Sequence, residues 1–130
     1  MSYKYVLDAS ALLALLNDEP GATTVSQHFA ESVISTVNLA EVVTVLNKAG
    51  IPDGEIRVLL DELDLPCLAY SKDVAIATGG IRALTASKGL SLGDRACLMT
   101  AKYLECITLT TDRAWLSFTG SLGVKVELIR

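Results

Sequence analysis

The chain has 130 residues, of which 51% are hydrophobic, and 15 acidic against 11 basic side chains give it a net charge of −4 at pH 7. This length fits one domain over residues 1–130, and this hydrophobic content excludes a disordered chain. The negative charge argues against a protein that holds nucleic acid mainly by a broad basic surface.

The sequence contains no recognisable membrane or secretion signal. No apolar run approaches the ~18 residues that cross a bilayer, and Asp8 interrupts the one stretch that is similar to a signal peptide. Cys67, Cys97 and Cys106 are odd in number and lack CxxC spacing, which indicates neither a disulfide framework nor a zinc site. We expect a cytoplasmic protein, without membrane association, whose cysteines are reduced thiols in the core.

In the first half of the chain, short β-prone runs alternate with segments of helical periodicity. Apolar residues from Leu39 to Leu46 follow the i, i+3, i+4, i+7 spacing of an amphipathic helix, which Gly50 closes. The predicted strands cover residues 3–7 and 33–35, and the predicted helices cover residues 9–16, 22–30, 37–49 and 51–63.

The second half of the chain continues this alternation. Gly79 and Gly80 mark a weak point in its first helix. The predicted strands cover residues 67–70, 107–109 and 124–128, and the predicted helices cover residues 74–86, 91–104 and 113–118. Strands and helices that alternate with short connections predict an α/β fold, in which helices cover both faces of a parallel sheet.

Four acidic residues stand at positions that suit a functional site. Asp8 and Asp112 each follow a predicted strand, so both carboxylates should emerge at the same edge of the sheet, where ligands bind in open parallel sheets. Glu41 and Asp94 lie near the starts of two helices, beside apolar positions of the core.

Helix capping offers an alternative explanation for each of these acids taken alone. Asp8 and Asp112 occupy possible N-cap positions, and the pairs Asn38/Glu41 and Ser91/Asp94 match the spacing of a capping box. The remaining acids need no function. Those around the 51–63 helix lie opposite its apolar stripe and are most simply a solvated face: Asp53, Glu55, Asp61, Glu62 and Asp64.

Convergence of the four acids would favour a bound cation, because like charges in one place repel each other. A set of carboxylates without His or Cys suits Mg²⁺ or Mn²⁺ rather than zinc. Such ions activate water and stabilise the leaving oxygen in phosphodiester hydrolysis. An acidic protein could hold an RNA phosphate in this way without a basic surface.

Four segments in order also carry a family pattern, and they span nearly the whole chain: Tyr5–Leu13, Ser35–Val42, Leu90–Leu98 and Leu109–Trp115. With these segments the chain resembles the PIN-domain ribonucleases, in particular the VapC-type toxins of bacterial and archaeal toxin–antitoxin pairs. The resemblance implies an α/β/α sandwich around a central parallel sheet of about five strands. It also implies a metal-dependent endoribonuclease that is inhibited by a VapB-like antitoxin and forms a homodimer.

Carried over residue by residue, the resemblance makes Asp8, Glu41, Asp94 and Asp112 the catalytic, metal-binding acids, with Mg²⁺ or Mn²⁺ as the cofactor. Ser10 and Thr110 match hydroxyl residues of the family pattern and are expected either to support the metal-binding acids or to orient the substrate. Arg95 and Arg113 each follow one of the acids and are candidates for contacts with flanking RNA phosphates, although a single surface arginine is more often simply solvated.

Two other functions are considered, of which one remains as an alternative and the other is set aside. A catalytically silent PIN-like module that binds RNA or a protein would not need the metal, and it is the alternative to the nuclease. A phosphotransfer enzyme with Asp8 as nucleophile would require a second Asp two residues later, where this chain has Ser10.

Overall fold

The computed structural model describes residues 2–130 of the chain. It contains five strands, each two to four residues long, and eight α-helices, with short 3-10 segments between some of them. The strands are β1 (Tyr5–Leu7), β2 (Ser32–Ser35), β3 (Cys67–Leu68), β4 (Ile107–Thr110) and β5 (Lys125–Leu128). The helices are α1 (Ala9–Leu16), α2 (Ala22–His28), α3 (Thr36–Lys48), α4 (Asp53–Leu63), α5 (Lys72–Gly80), α6 (Arg82–Thr85), α7 (Leu92–Leu104) and α8 (Thr119–Leu122).

The five strands form one parallel sheet in the order β3-β2-β1-β4-β5. The chain builds β1, β2 and β3 outward in one direction and then returns to add β4 and β5 on the other side of β1. The order therefore reverses between β1 and β4, and in parallel α/β sheets such a reversal opens a crevice at the carboxyl ends of the strands.

Successive side chains of each strand point to opposite faces of the sheet and pack into two separate cores, one on each face. In β1, Tyr5 and Leu7 pack with residues of α1 to α4, whereas Val6 packs with residues of α5, α7 and α8. Trp115 is fully buried in the second core. The predicted α/β/α sandwich with a central five-stranded parallel sheet is confirmed.

The predicted elements differ from the structure mainly at their ends. Strand β3 has two residues rather than four, and the helix predicted over residues 74–86 is divided at Ile81 into α5 and α6. The end of the helix predicted over residues 22–30 and the segment Arg113–Phe118 are 3-10 turns, and helix α8 was not predicted. No helix among residues 2–130 is both long enough and apolar enough to cross a membrane.

The cysteines lie in unequal environments. Cys97 and Cys106 are buried, but Cys67 is exposed, so the prediction that it is a core thiol is wrong. Cys67 belongs to β3, an edge strand that only β2 covers, and this position leaves its side chain open to solvent.

Candidate metal-binding acid site

The four acids singled out from the sequence are called the acid site here: Asp8, Glu41, Asp94 and Asp112. Asp8 directly follows β1, and Asp112 lies two residues after β4, so both stand at the carboxyl edge of adjacent strands. The Asp8 amide extends the pairing of these strands by donating a hydrogen bond to the Leu109 carbonyl at 3.0 Å. Two of the acids thus stand where the order of the strands reverses.

Asp8 is the most buried member of the acid site, with 6% of its surface exposed. The pKa of its carboxyl is raised from 3.8 to about 6, mainly by burial and to a smaller extent by the charges of Asp94 and Glu41. Hydrogen bonds from Ser10 and Thr110 act in the opposite direction on this pKa, because they stabilise the ionised form. The carboxylate is therefore held in place by donors while its charge is disfavoured by its surroundings.

Two hydroxyl groups converge on one oxygen of this carboxylate. Ser10 Oγ donates to Asp8 Oδ2 at 2.7 Å, and Thr110 Oγ1 donates to the same oxygen at 2.9 Å. Ser10 Oγ in turn accepts from the Thr111 amide at 3.1 Å, and Thr110 Oγ1 accepts from the Asp112 amide at 3.1 Å. This network fixes the Asp8 side chain and ties the loop after β4, including Asp112, to the end of β1.

Glu41 reaches the site from α3 and lies against the start of α7. Asn38 Nδ2 donates to Glu41 Oε1 at 2.7 Å and to the Gly93 carbonyl at 3.1 Å. A side chain at position 93 would overlap the Glu41 carboxylate, so any larger residue there would displace this carboxylate. The Glu41 carboxylate is thus positioned by Asn38 on its own helix and by the backbone of Gly93 on α7.

The capping-box explanation of Asn38 and Glu41 is wrong. Helix α3 begins at Thr36, and its N-cap is Ser35, whose hydroxyl accepts from the Val37 amide at 3.3 Å. Asn38 is therefore inside the first turn and fully buried. The roles of Asn38 and Gly93 were not predicted from the sequence. Their signals were an amide residue at i−3 from Glu41, on the same helix face, and a glycine in the first turn of a helix.

Asp94 combines a capping role with its place near the other acids. Its Oδ2 accepts from the Ser91 amide at 2.9 Å, and Ser91 Oγ accepts from the Asp94 amide at 3.1 Å, which completes a capping box at α7. Cys97, one turn later, is buried, and its thiol pKa is raised by this burial and then by the charges of Asp8, Asp94 and Glu41. The charges of Glu41 and Asp94 thus act on both Asp8 and Cys97, so these groups lie in one neighbourhood.

Asp112 is the outermost member of the acid site. It is exposed, and its Oδ1 accepts from the Ala114 amide at 3.0 Å, as an N-cap does. Its connection to Asp8 runs through Thr110. The structure therefore brings Asp8, Glu41 and Asp94 within electrostatic reach of one another and joins Asp112 to them through a hydrogen-bonded hydroxyl.

The acid site has the donor chemistry that a hard divalent cation requires. Within residues 2–130, one carboxylate oxygen of each acid makes no hydrogen bond, and the four free oxygens are Oδ1 of Asp8, Oε2 of Glu41, Oδ1 of Asp94 and Oδ2 of Asp112. Oxygen donors are the ligands that Mg²⁺ and Mn²⁺ prefer. In the described part of the chain, no group of three or more Asp, Glu, His or Cys side chains is arranged so that it could hold a metal ion. The residues fit such an ion by chemistry and charge.

The two arginines beside the acids differ in their surroundings. Arg95 Nη1 donates to the Thr78 carbonyl of α5 at 3.0 Å, and its Nε is buried without a partner among residues 2–130. Arg113 is exposed and makes no hydrogen bond or ion pair with the part of the chain that the structure describes. Arg113 is free to reach a ligand, whereas Arg95 is tied to a neighbouring helix.

Comparisons with known proteins agree with this architecture. None of the curated proteins matches the sequence significantly. The DNA-bound VapBC structure from Salmonella typhimurium has a TM-score of 0.77 and 22% identity, over 98% of this chain and 99% of that chain. A toxin–antitoxin complex from Klebsiella pneumoniae gives 0.75 and 19%, with 98% of each chain covered. VapBC2 from Rickettsia felis, bound to a DNA fragment from its promoter, gives 0.70 and 17%, over 95% of this chain and 97% of that chain.

At these identities the solved structures are similar to this chain in fold. The family comparison goes further, because the model described as PIN domain matches residues 5–119. This range includes all four acids and both arginines discussed above. The chain belongs to the PIN-domain family.

Proposed function

We propose that the protein is a VapC-like toxin, an endoribonuclease that depends on Mg²⁺ or Mn²⁺. Membership of the PIN-domain family supports a nuclease in general terms. The observation that carries the finer proposal is the environment of Asp8. This carboxyl is buried, its pKa is raised to about 6, and the charges of Glu41 and Asp94 add to that rise. A divalent cation would neutralise this concentration of charge.

In this proposal the free oxygens of Asp8, Glu41, Asp94 and Asp112 hold one or two divalent cations. Such a cation, when bound, supplies an activated water and charge stabilisation for hydrolysis of an RNA phosphodiester bond. Ser10 and Thr110 keep Asp8 Oδ2 occupied, which leaves Oδ1 to face the ligand. Their hydroxyls thus orient the acid in the way that outer partners orient metal ligands.

The RNA would be held locally rather than by a broad basic surface, because the chain carries a net charge of −4. Arg113 is exposed beside Asp112 and is the better candidate of the two arginines for a flanking phosphate. For Arg95 the same role would require its guanidinium to leave the Thr78 carbonyl.

The partner in this proposal is a VapB-like antitoxin. The structures compared above include VapBC and toxin–antitoxin complexes, which supports a partner of that kind. A cavity of about 320 Å³ lies between α1, α3 and α4, with Leu12, Leu39, Leu60 and Leu63 in its lining. Helices α1, α3 and α4 line this cavity, and α2 contributes no residue to it. An apolar groove of this kind suits an amphipathic helix.

A homodimer and a cytoplasmic location also belong to the proposal. Ile76 and Leu92 are 63% and 60% exposed, and apolar side chains of this size are often covered in an oligomer.

A silent binding module is the second candidate function, and one observation favours it. The carboxylates of Asp94 and Asp112 each accept a backbone hydrogen bond as helix caps, so both have a structural role without any metal. A module that binds RNA or protein by its surface would bind equally well in the presence of EDTA.

Cleavage of a structured RNA pool by the purified, antitoxin-free protein separates the two functions. We expect cutting in Mg²⁺ or Mn²⁺, and none in EDTA or in an Asp94→Asn variant. Asparagine can still accept the hydrogen bond from the Ser91 amide, so this variant keeps the cap and removes the charge. Metal-dependent cutting by Asp94→Asn at the wild-type rate would mean that Asp94 only caps α7 and does not bind the metal. Absence of cutting by folded wild type would favour the binding module.

A further inference from the structure

An asparagine at position 38 is unfavourable for the stability of the fold. It is fully buried within α3, and its Oδ1 has no hydrogen-bond partner among residues 2–130. Asparagine is a poor helix former inside a helix, and a buried acceptor without a partner costs free energy. Exceptions of this kind to the rules of folding concentrate at functional sites.

The orientation of the Asn38 amide is determined by its partners. Nδ2 lies between Glu41 Oε1 and the Gly93 carbonyl. A carbonyl can accept hydrogen bonds but cannot donate them, and the same is true of an ionised Glu41 carboxylate. Rotation of the amide by 180° would place Oδ1 against two acceptors. The side chain therefore works as a double donor that joins the Glu41 carboxylate to the first turn of α7.

We propose that Asn38 is a positioning residue for the acid site, and that it acts by holding the Glu41 carboxylate over Gly93. This inference rests on the proposed function, because it assigns Asn38 a role in the affinity of the site for a divalent cation. Glu41 lies three residues from Asn38 on the same helix face, and Gly93 immediately precedes Asp94. The two hydrogen bonds of Asn38 therefore fix the position of one acid next to another.

Gly93 completes this arrangement from the opposite side. Because a Cβ at position 93 would overlap the Glu41 carboxylate, a Gly93→Ala substitution should displace Glu41 without changing Asn38. Two different substitutions, one that removes the donor and one that fills the space, should thus weaken the same site.

The test is a double-mutant cycle on Mn²⁺ affinity. The affinity is measured by calorimetry or by the electron paramagnetic resonance of the ion. Asn38→Leu keeps the volume, removes the donor and also removes the unpaired acceptor, which favours folding. We expect Asn38→Leu and Gly93→Ala each to weaken Mn²⁺ binding by about 10- to 100-fold, the range found when the partners of metal ligands are removed. On a Glu41→Ala background, Asn38→Leu should produce no further loss, because its effect passes through Glu41.

A matched control is available on the same helix. Asn47 is exposed, and its Nδ2 also donates to a carboxylate, Asp53 Oδ1, at 3.0 Å. Asn47→Leu should change Mn²⁺ affinity less than twofold. If Asn38→Leu binds Mn²⁺ as wild type does, or if its full loss persists on the Glu41→Ala background, the positioning role is overturned.

A measurement on the metal-free protein separates this inference from the proposed function. The side-chain amide resonances of Asn38 should shift in Glu41→Ala, while those of Asn47 should not. Unchanged Asn38 resonances would overturn the contact, and with it the positioning role, whatever the metal does. A wild type that binds no Mn²⁺ while the Asn38 resonances still shift would overturn the proposed function, and would reduce Asn38 to a structural partner of Glu41.

Discussion

The acid site and the solvent face of α4 each carry four carboxyl groups, but only the acid site includes a buried one. The solvent face of α4 consists of Asp53, Glu55, Asp61 and Glu62, all of which are exposed. Its one ion pair joins Arg57 Nε to Asp61 Oδ2 at 3.3 Å, between side chains that are 81% and 67% exposed. In the acid site, Asp8 is buried, and its pKa is raised by this burial and by two other acids.

The comparison shows that burial and geometry, rather than the number of acids, distinguish the acid site from the solvent face of α4. A carboxylate in water retains its charge at little cost, and an exposed ion pair contributes about 0–1 kcal/mol. A buried carboxylate beside two others is costly to ionise, and the cost persists only if the fold holds the group there. In this protein Ser10 and Thr110 hold Asp8, and Asn38 holds the neighbouring Glu41.

Loss of one charge in the acid site should have the largest effect. Asp8→Asn is nearly isosteric, and its amide oxygen can still accept from Ser10 and Thr110. The variant lacks the negative charge that would bind the cation. We expect RNA cleavage in Mg²⁺ to fall about 1000-fold or more, because a bound metal contributes several kcal/mol to such a reaction. The measurement is single-turnover cleavage of an RNA pool.

Asp61→Asn is the control for this experiment, since it makes the same chemical change on the solvent face of α4. Its cleavage rate should stay within twofold of wild type. Equal losses in the two variants would mean that net charge, and not the acid site, determines the activity.

The raised pKa of Asp8 should appear as a pH dependence of stability. The native carboxyl titrates at about 6 and the unfolded one near 3.8, so between these values the native state binds more protons than the unfolded state. The free energy of unfolding therefore falls as pH rises from about 4 to above 6, by up to about 3 kcal/mol from this group. Below pH 4 the contribution is fully present, and above pH 6 it is lost.

Comparison of wild type with Asp8→Asn isolates this contribution from other titrating groups. In EDTA at pH 7.5, denaturant unfolding should show Asp8→Asn as the more stable protein, and the difference should shrink toward pH 4. Addition of Mn²⁺ at pH 7.5 should stabilise wild type more than the variant. A difference that stays constant between pH 4 and 7.5 would contradict the assignment of this pKa to Asp8.

Two buried threonines of β4 give a matched pair for the hydrogen bonds around Asp8. Thr110 Oγ1 donates to Asp8 and accepts from the Asp112 amide, whereas the buried Thr108 Oγ1 has no partner within residues 2–130. We expect Thr110→Val to reduce cleavage by about 10- to 100-fold. Thr108→Val should leave the rate unchanged and raise stability by about 1 kcal/mol, because an unpaired hydroxyl is removed.

Cleavage assays and denaturant unfolding on both valine variants check this prediction. If Thr108→Val reduces cleavage as much as Thr110→Val, the effect reflects the packing of β4 and not the orientation of Asp8.

Much of the fold was predictable, because hydrophobic periodicity and turn residues report local structure. The α/β alternation, the parallel sheet and the weak point at Gly79 and Gly80 followed from such patterns. The two-residue length of β3 and the unpredicted α8 did not, because the extent of an edge strand or of a single helical turn depends on its tertiary neighbours.

The candidate site was predictable in part, for a related reason. The positions of Asp8 and Asp112 after adjacent strands follow from the topology of a parallel sheet. The contact of Asn38 with Gly93 joins residues that are 55 positions apart, and no local pattern specifies it. The same limit explains Asn38 itself, which fits a capping box by spacing, although Ser35 is the actual cap.

The smallest expected effect lies on the solvent face of α4, where the exposed pair of Arg57 and Asp61 has i,i+4 spacing. Pairs of this kind stabilise a helix by about 0.3–0.5 kcal/mol, and salt screens them. Denaturant unfolding should therefore show Asp61→Asn within about 0.5 kcal/mol of wild type at low ionic strength, and equal to it in 0.5 M salt. A loss above about 1 kcal/mol that persists in salt would show that this face contributes to the fold. The acids on the solvent face of α4 would then also have a structural role, and they would no longer be a neutral comparison for the acid site.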